Sequence, residues 1–192
     1  MNFIFLLIFG FLLGSIPFGY LVAKIKGVNI KNFGSGATGA TNISRAFGLK
    51  WAVVVAILDI LKAGIPVYLA LISPMPEWQI SLICLAPVIG HIFTPWLKFK
   101  GGKGIACFVP SLIAFAGIWN FLILFIIWII LVKKVKLMAM VNLILMFLIP
   151  FFFWFYTNSI TYFVLGILFF LIILWSHREN VYRLYNQKEL KL

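Results

Sequence analysis

Apolar runs of about 20 residues recur from one end of this sequence to the other, and little except a helical bundle in lipid can house them. The runs lie at 3–23, 51–72, 78–94, 105–116, 119–132, 137–155 and 160–176. With no water in the hydrocarbon layer, each must satisfy its backbone polar groups internally, which means helix. Of the 192 residues, 64% are hydrophobic and 10% charged, whereas a soluble domain carries roughly a quarter charged. The expected fold is all-α and polytopic, with about seven transmembrane helices in a single integral membrane domain over residues 1–192. The net charge of +12 does not imply nucleic acid, because no soluble basic module exists to carry it.

The connections between the runs are of two kinds, and the kinds alternate strictly. One kind is basic. It contains Lys24, Lys26, Lys31, Arg45 and Lys50; then Lys98, Lys100 and Lys103; then Lys133, Lys134 and Lys136; finally Arg178, Arg183, Lys188 and Lys191. The other kind, at 73–77, 117–118 and 156–159, has no Lys or Arg. The positive-inside rule then puts the N-terminus outside and the C-terminus in the cytoplasm, after seven crossings. The charge rule also divides 105–132. One helix there would be about 42 Å long against about 30 Å of hydrocarbon, and it would put Lys133, Lys134 and Lys136 outside. Two short helices meeting near Gly117 preserve the alternation.

Asp59 and Lys62 lie inside the second run at i, i+3, on one helix face, where they can pair. Cys84 and Cys107 lack metal-site spacing and read as core residues. The run from Phe3 to Ala23 has no basic residue before Lys24, so it reads as a retained helix rather than a signal peptide.

Three polar motifs stand out, all on the basic side. The first runs from Asn32 to Arg45 and holds Gly34, Gly36 and Gly39 in a formal G-x-G-x-x-G. No strand precedes it and no βαβ unit follows, so a dinucleotide site is excluded. Its glycines let backbone approach a ligand closely. Ser35, Thr41, Asn42 and Ser44 offer neutral hydrogen bonds, and Arg45 supplies a fork suited to phosphate. The second runs from Gly90 and His91 to Lys100-Gly101-Gly102-Lys103-Gly104. Paired glycines beside paired lysines, opening onto an apolar helix, suggest an anion nest. It is no Walker A loop, since no Ser or Thr follows the lysine. The third, His177-Arg178-Glu179-Asn180, sets His177 and Asn180 at i, i+3.

With only four acids in the chain, no carboxylate dyad, metal cluster or Ser-His-Asp set can be assembled on the basic face. The H-x-x-x-x-D spacing of acyl-CoA-dependent glycerolipid acyltransferases is absent as well: Trp96 follows His91 at that distance, and Tyr182 follows His177. Glycines, hydroxyls, Lys, Arg, His and Asn suit binding two anionic groups and stabilising developing negative charge.

Together, the three motifs resemble those of the bacterial acyl-phosphate:glycerol-3-phosphate acyltransferase family. That family's GSGNxGATNxxR is matched from Gly34 to Arg45, its GH…FKGGKG from Gly90 to Gly104, and its HREN with a following RL from His177 to Leu184. Asp59, Lys62 and Gly64 resemble its D-x-x-K-G turn, with Ala63 inserted. Ala37 stands where the family has Asn, Cys107 where it has Thr, and Lys136-Leu-Met-Ala-Met140 where it has a Ser-containing stretch. The resemblance implies a seven-helix fold with a cytoplasmic active site in the bacterial cell membrane. It also implies transfer of a fatty acyl group from acyl phosphate to the 1-hydroxyl of sn-glycerol 3-phosphate, giving lysophosphatidic acid and phosphate, without metal or cofactor. Ser35, Arg45, Lys103, His177 and Asn180 are then expected to hold glycerol 3-phosphate. Gly34, Gly36, Gly39, Lys100, Gly101 and Gly102 are expected to cradle the donor phosphate, and Thr41, Asn42 and His91 join the binding set. Two other classes fit a basic polar face: a small anion transporter, and an inactive relative serving as a membrane partner.

Overall fold

Pro17 interrupts the first apolar run. It has no N–H to give to a helix, and its ring disfavours helical backbone just before it. In the computed structural model, which describes residues Met1–Leu190, the run accordingly divides into α1 (Phe3–Ser15) and α2 (Phe18–Ile25). Lys191, counted above among the basic residues, lies outside the described residues. Two carbonyls at the break accept from side chains elsewhere in the fold, that of Ile16 in addition to the Phe18 N–H at 3.1 Å. Thr94 Oγ1 donates to the Ser15 carbonyl at 2.6 Å, and Lys62 Nζ to the Ile16 carbonyl at 2.6 Å. Irregular backbone within an apolar span survives only with such replacement partners.

Every regular element among the described residues is helical. Beyond α1 and α2 come α3 (Ala40–Phe47), α4 (Leu49–Leu71), α5 (Glu77–Ile92), α6 (Ile105–Ala116), α7 (Ile118–Val135), α8 (Met138–Thr157), α9 (Ile160–Ser176) and α10 (Arg178–Tyr185). They form two compact units, Met1–Pro110 and Ser111–Leu192.

In the first unit α5 is the enclosed helix, and α1 and α4 pack on it. Gly14 lets α1 approach α5 closely, since a Cβ there would strike the Pro87 backbone. Small residues at helix contacts are how lipid-embedded helices gain van der Waals packing. Next to this seam, Ala23, Ile30, Ile43 and Val55 form a fully buried cluster that fixes α2 and α3 against α4. The second unit is an antiparallel set built on α8 and α9, with the buried rings of Phe153 and Phe169 edge to face at 6.5 Å. Trp128 Nε1 donates to Asn142 Oδ1 at 2.7 Å, tying α7 to α8.

The expected break near Gly117 is present. Gly117 has φ +84°, which L side chains rarely adopt, and it separates α6 from α7. α6 has only 12 residues, a rise of about 18 Å, well short of the hydrocarbon thickness. Among the described residues, five helical spans are long and apolar enough to cross a bilayer, and six if α9 and α10, bent by 63°, form one. The sequence-based count of seven depends on the short α6.

Candidate active site

The first motif folds around one amide. Asn42, on the first turn of α3 and 1% exposed, accepts the Ser35 N–H on Oδ1 at 3.1 Å. Its Nδ2 donates to the carbonyls of Phe33 at 2.9 Å and Ala37 at 3.0 Å. Gly34, at φ +55°, lies where a Cβ would strike Asn42 Oδ1. Asn42 therefore acts from beneath the loop. Ser35, Thr41 and Arg45 are half-buried around it. A Cβ on Gly39, the N-cap of α3, would meet nothing within 4 Å, so the approach to that helix end is open.

The second motif begins where α5 ends. After a turn over Pro95–Leu97 and two left-handed residues, Lys98 (φ 53°) and Phe99 (φ 60°), the chain doubles back on the helix end. The Gly101 N–H donates to the Ile92 carbonyl at 2.9 Å and the Gly102 N–H to the His91 carbonyl at 3.1 Å. This differs from the nest expected from the sequence, because both amides are spent capping α5. Lys100 and Lys103, with the N-terminus of α6 that follows Gly104, remain as the loop's positive features.

His91 is 5% exposed, and the Nε2 edge of its ring abuts Gly102, where a Cβ would collide with it. On the other edge, Lys62 Nζ lies 3.0 Å from Nδ1. Lys62 also meets Asp59 Oδ1 at 2.7 Å, so the i, i+3 pair expected from the sequence is made, with both side chains buried. Asp59, His91 and Cys107 bring three potential metal ligands within 4.8 Å of one another. The Lys62 ammonium binds two of them and supplies the positive charge a cation would bring. Cys107 Sγ donates to the Asp59 carbonyl at 3.4 Å.

Lys31, which belongs to no motif, joins the two loops. Its Nζ donates to the Gly36 carbonyl at 3.0 Å and to the Lys100 carbonyl at 2.7 Å. The sequence gives no sign of this contact, which bridges 69 positions.

The third motif lies in the second unit, at the bend between α9 and α10. His177, 1% exposed, has Nδ1 2.8 Å from the Ile173 carbonyl. A carbonyl only accepts, so Nδ1 carries a proton, and in the neutral ring Nε2 is then the acceptor. Asn180 Nδ2 donates to Glu189 Oε1 at 2.6 Å, and Arg183 Nε to Glu189 Oε2 at 3.0 Å. Glu189, with a side chain 4% exposed, thus organises this motif from nine residues away. Sequence reading passed over it because acids near a chain end are ordinarily solvated.

A family profile described as glycerol-3-phosphate acyltransferase matches residues 4–187. The chain is 39% identical to the glycerol-3-phosphate acyltransferase of Aquifex aeolicus (strain VF5) over 196 residues, covering 98% of each. It is 38% identical to that of Prochlorococcus marinus (strain NATL1A), covering 96% of this chain and 95% of that one. It is similar to the crystal structure of PlsY (YgiH), an integral membrane glycerol 3-phosphate acyltransferase, in its glycerol 3-phosphate form. There the TM-score is 0.91 at 34% identity, over 99% of this chain and 95% of that one. The lysophosphatidic acid form gives 0.89 at 33% identity, with the same coverage.

Proposed function

The chain belongs to the bacterial membrane-integral glycerol-3-phosphate acyltransferase family, and from that premise we propose how its own residues carry out the transfer. The reaction moves a fatty acyl group from acyl phosphate to the 1-hydroxyl of sn-glycerol 3-phosphate, giving lysophosphatidic acid and phosphate. The acceptor oxygen attacks the acyl carbon, the bond from that carbon to the phosphate oxygen breaks, and the departing phosphate takes the hydroxyl proton. Atoms and charge balance without a metal or cofactor, because the mixed anhydride already carries a good leaving group. What the protein must supply is placement and positive charge.

Ser35, Arg45, Lys103, His177 and Asn180 are assigned to glycerol 3-phosphate. His177 Nε2, an acceptor, suits a sugar-alcohol hydroxyl. Lys100 and the α6 N-terminus are assigned to the donor phosphate, whose acyl chain lies between helices. Gly101 and Gly102 shape this loop, and Asn42 and His91 support the two loops from below. Gly34, Gly36, Gly39 and Thr41 line the first. The observation that carries the share of the first two motifs in this assignment is the Lys31 bridge, which ties their loops together.

The finer topology is part of the proposal: seven crossings, N-terminus outside, C-terminus and active site facing the cytoplasm, and one membrane domain over 1–192. Its support is the alternation of basic connections with connections that have no Lys or Arg, together with the break at Gly117. Purified protein given labelled acyl phosphate and glycerol 3-phosphate is expected to release lysophosphatidic acid, and Arg45→Ala and Lys103→Ala to lower turnover at least a hundredfold. Wild-type turnover in either variant would refute the residue assignment.

A further inference from the structure

The buried cluster under the second loop leaves a question that pairing alone does not answer. A salt bridge between Asp59 and Lys62 needs one acceptor, but the ammonium has three protons. Lys62 Nζ also reaches the Ile16 carbonyl at 2.6 Å and His91 Nδ1 at 3.0 Å, in addition to its ion pair with Asp59 Oδ1 at 2.7 Å, and an ammonium can only donate. The competing arrangement has an Nδ1–H of His91 donating to Asp59. Those atoms are 3.6 Å apart, too far for a hydrogen bond. Nδ1 is therefore the acceptor, and the imidazole proton is on Nε2.

Nε2 is the edge that abuts Gly102. In this tautomer the ring presents a positive N–H edge to the loop. The other tautomer would present a lone pair, which repels phosphate. The backbone on which the ring rests is bonded to the same loop, since the His91 and Ile92 carbonyls accept from Gly102 and Gly101. Lys62 thus connects three things: the break after α1, the face of α4 and the floor of the Lys100–Lys103 turn.

We propose that Lys62 is a positioning residue for acyl transfer, holding His91 as the Nε2–H tautomer and so setting the ring edge and orientation on which the Gly101–Gly102 turn is seated. The inference rests on the phosphate-handling role assigned to that loop. Asp59 holds Lys62 in place through the 2.7 Å ion pair.

The test uses the full-length enzyme labelled with 15N-histidine. There are only two histidines, so His177→Gln assigns both resonances. Wild-type His91 is expected to show a protonated Nε2 and a bare Nδ1, opposite to His177. Lys62→Met should move the His91 proton to Nδ1, facing Asp59, and lower kcat about a hundredfold, the scale of a 1 Å misplacement. Two double variants separate positioning from charge balance, because both remove the buried pair and leave no lone charge. Asp59→Asn/Lys62→Gln keeps an N–H for Nδ1 and is expected to retain the tautomer and return to within about tenfold of wild type. Asp59→Leu/Lys62→Met has no donor beside Nδ1 and should stay as slow as Lys62→Met.

Equal rates in the two doubles, or a bare Nε2 on His91 in the wild type, overturn the proposal. The wild-type spectrum decides even if a variant fails to fold. Failure of the functional reading would look different: wild-type enzyme with the expected tautomer that forms no lysophosphatidic acid.

Discussion

Replacing Lys31 by Met removes the contact between the two motif loops while keeping an unbranched side chain of similar length. The magnitude follows from two hydrogen bonds made by a charged donor. In a buried setting each is worth about 1.5–3 kcal/mol. Lys31 is only half-buried, so water recovers much of this and the pair together contributes about 1.5 kcal/mol. Since about 1.4 kcal/mol is a factor of ten, kcat/KM should fall about tenfold if both substrates need the loops in register. Steady-state rates in detergent, varying each substrate in turn, measure it. Lys31→Arg, which can still reach both carbonyls, should stay within about threefold of wild type. The Tm should move by only a few degrees in either variant, because no core packing is lost. A Lys31→Met enzyme with kcat/KM within twofold of wild type would refute the clamp. So would a loss equal in the Met and Arg variants.

Two further outcomes follow from buried polar groups. Asn42→Ala strands the Ser35 N–H and the Ala37 carbonyl, the Phe33 carbonyl keeping the Gly36 N–H, which should cost about 1–3 kcal/mol of loop stability. It should appear as a raised KM for glycerol 3-phosphate and a lowered Tm. Glu189→Ala releases Asn180 and Arg183. It should raise the same KM about tenfold, the worth of one hydrogen bond to a charged group, with the KM for acyl phosphate unchanged.

The sequence made legible whatever depends on local composition. Gly117 within a long apolar stretch, with lysines on its far side, marks a helix break because both steric freedom and the charge rule require one there. Asp59 and Lys62 at i, i+3 could hardly avoid pairing. The break after α1 carried a signal as well, since Ile16-Pro17 is a poor helix interior, but the surrounding hydrophobicity outweighed it. What stayed hidden depends on contacts between distant segments. Glycines at 101 and 102 advertise a close approach without saying to what. Only the folded chain shows that their amides cap α5, and that the imidazole edge of His91 takes the space a Cβ would occupy. Lys31 and Glu189 were hidden for the same reason, each being an ordinary surface residue until its partner is known.

The break at Ile16–Pro17 has a consequence for biosynthesis. The two carbonyls it exposes are satisfied by Lys62 from α4 and by Thr94, just beyond α5. Neither residue has left the ribosome when α1 and α2 first meet the membrane. During that interval both carbonyls lack their side-chain partners, and only the Phe18 N–H, 3.1 Å from the Ile16 carbonyl, is available locally. The break therefore gains its full set of hydrogen bonds only once the third long span has been inserted. The first-made part of the enzyme is among the last to be fully satisfied.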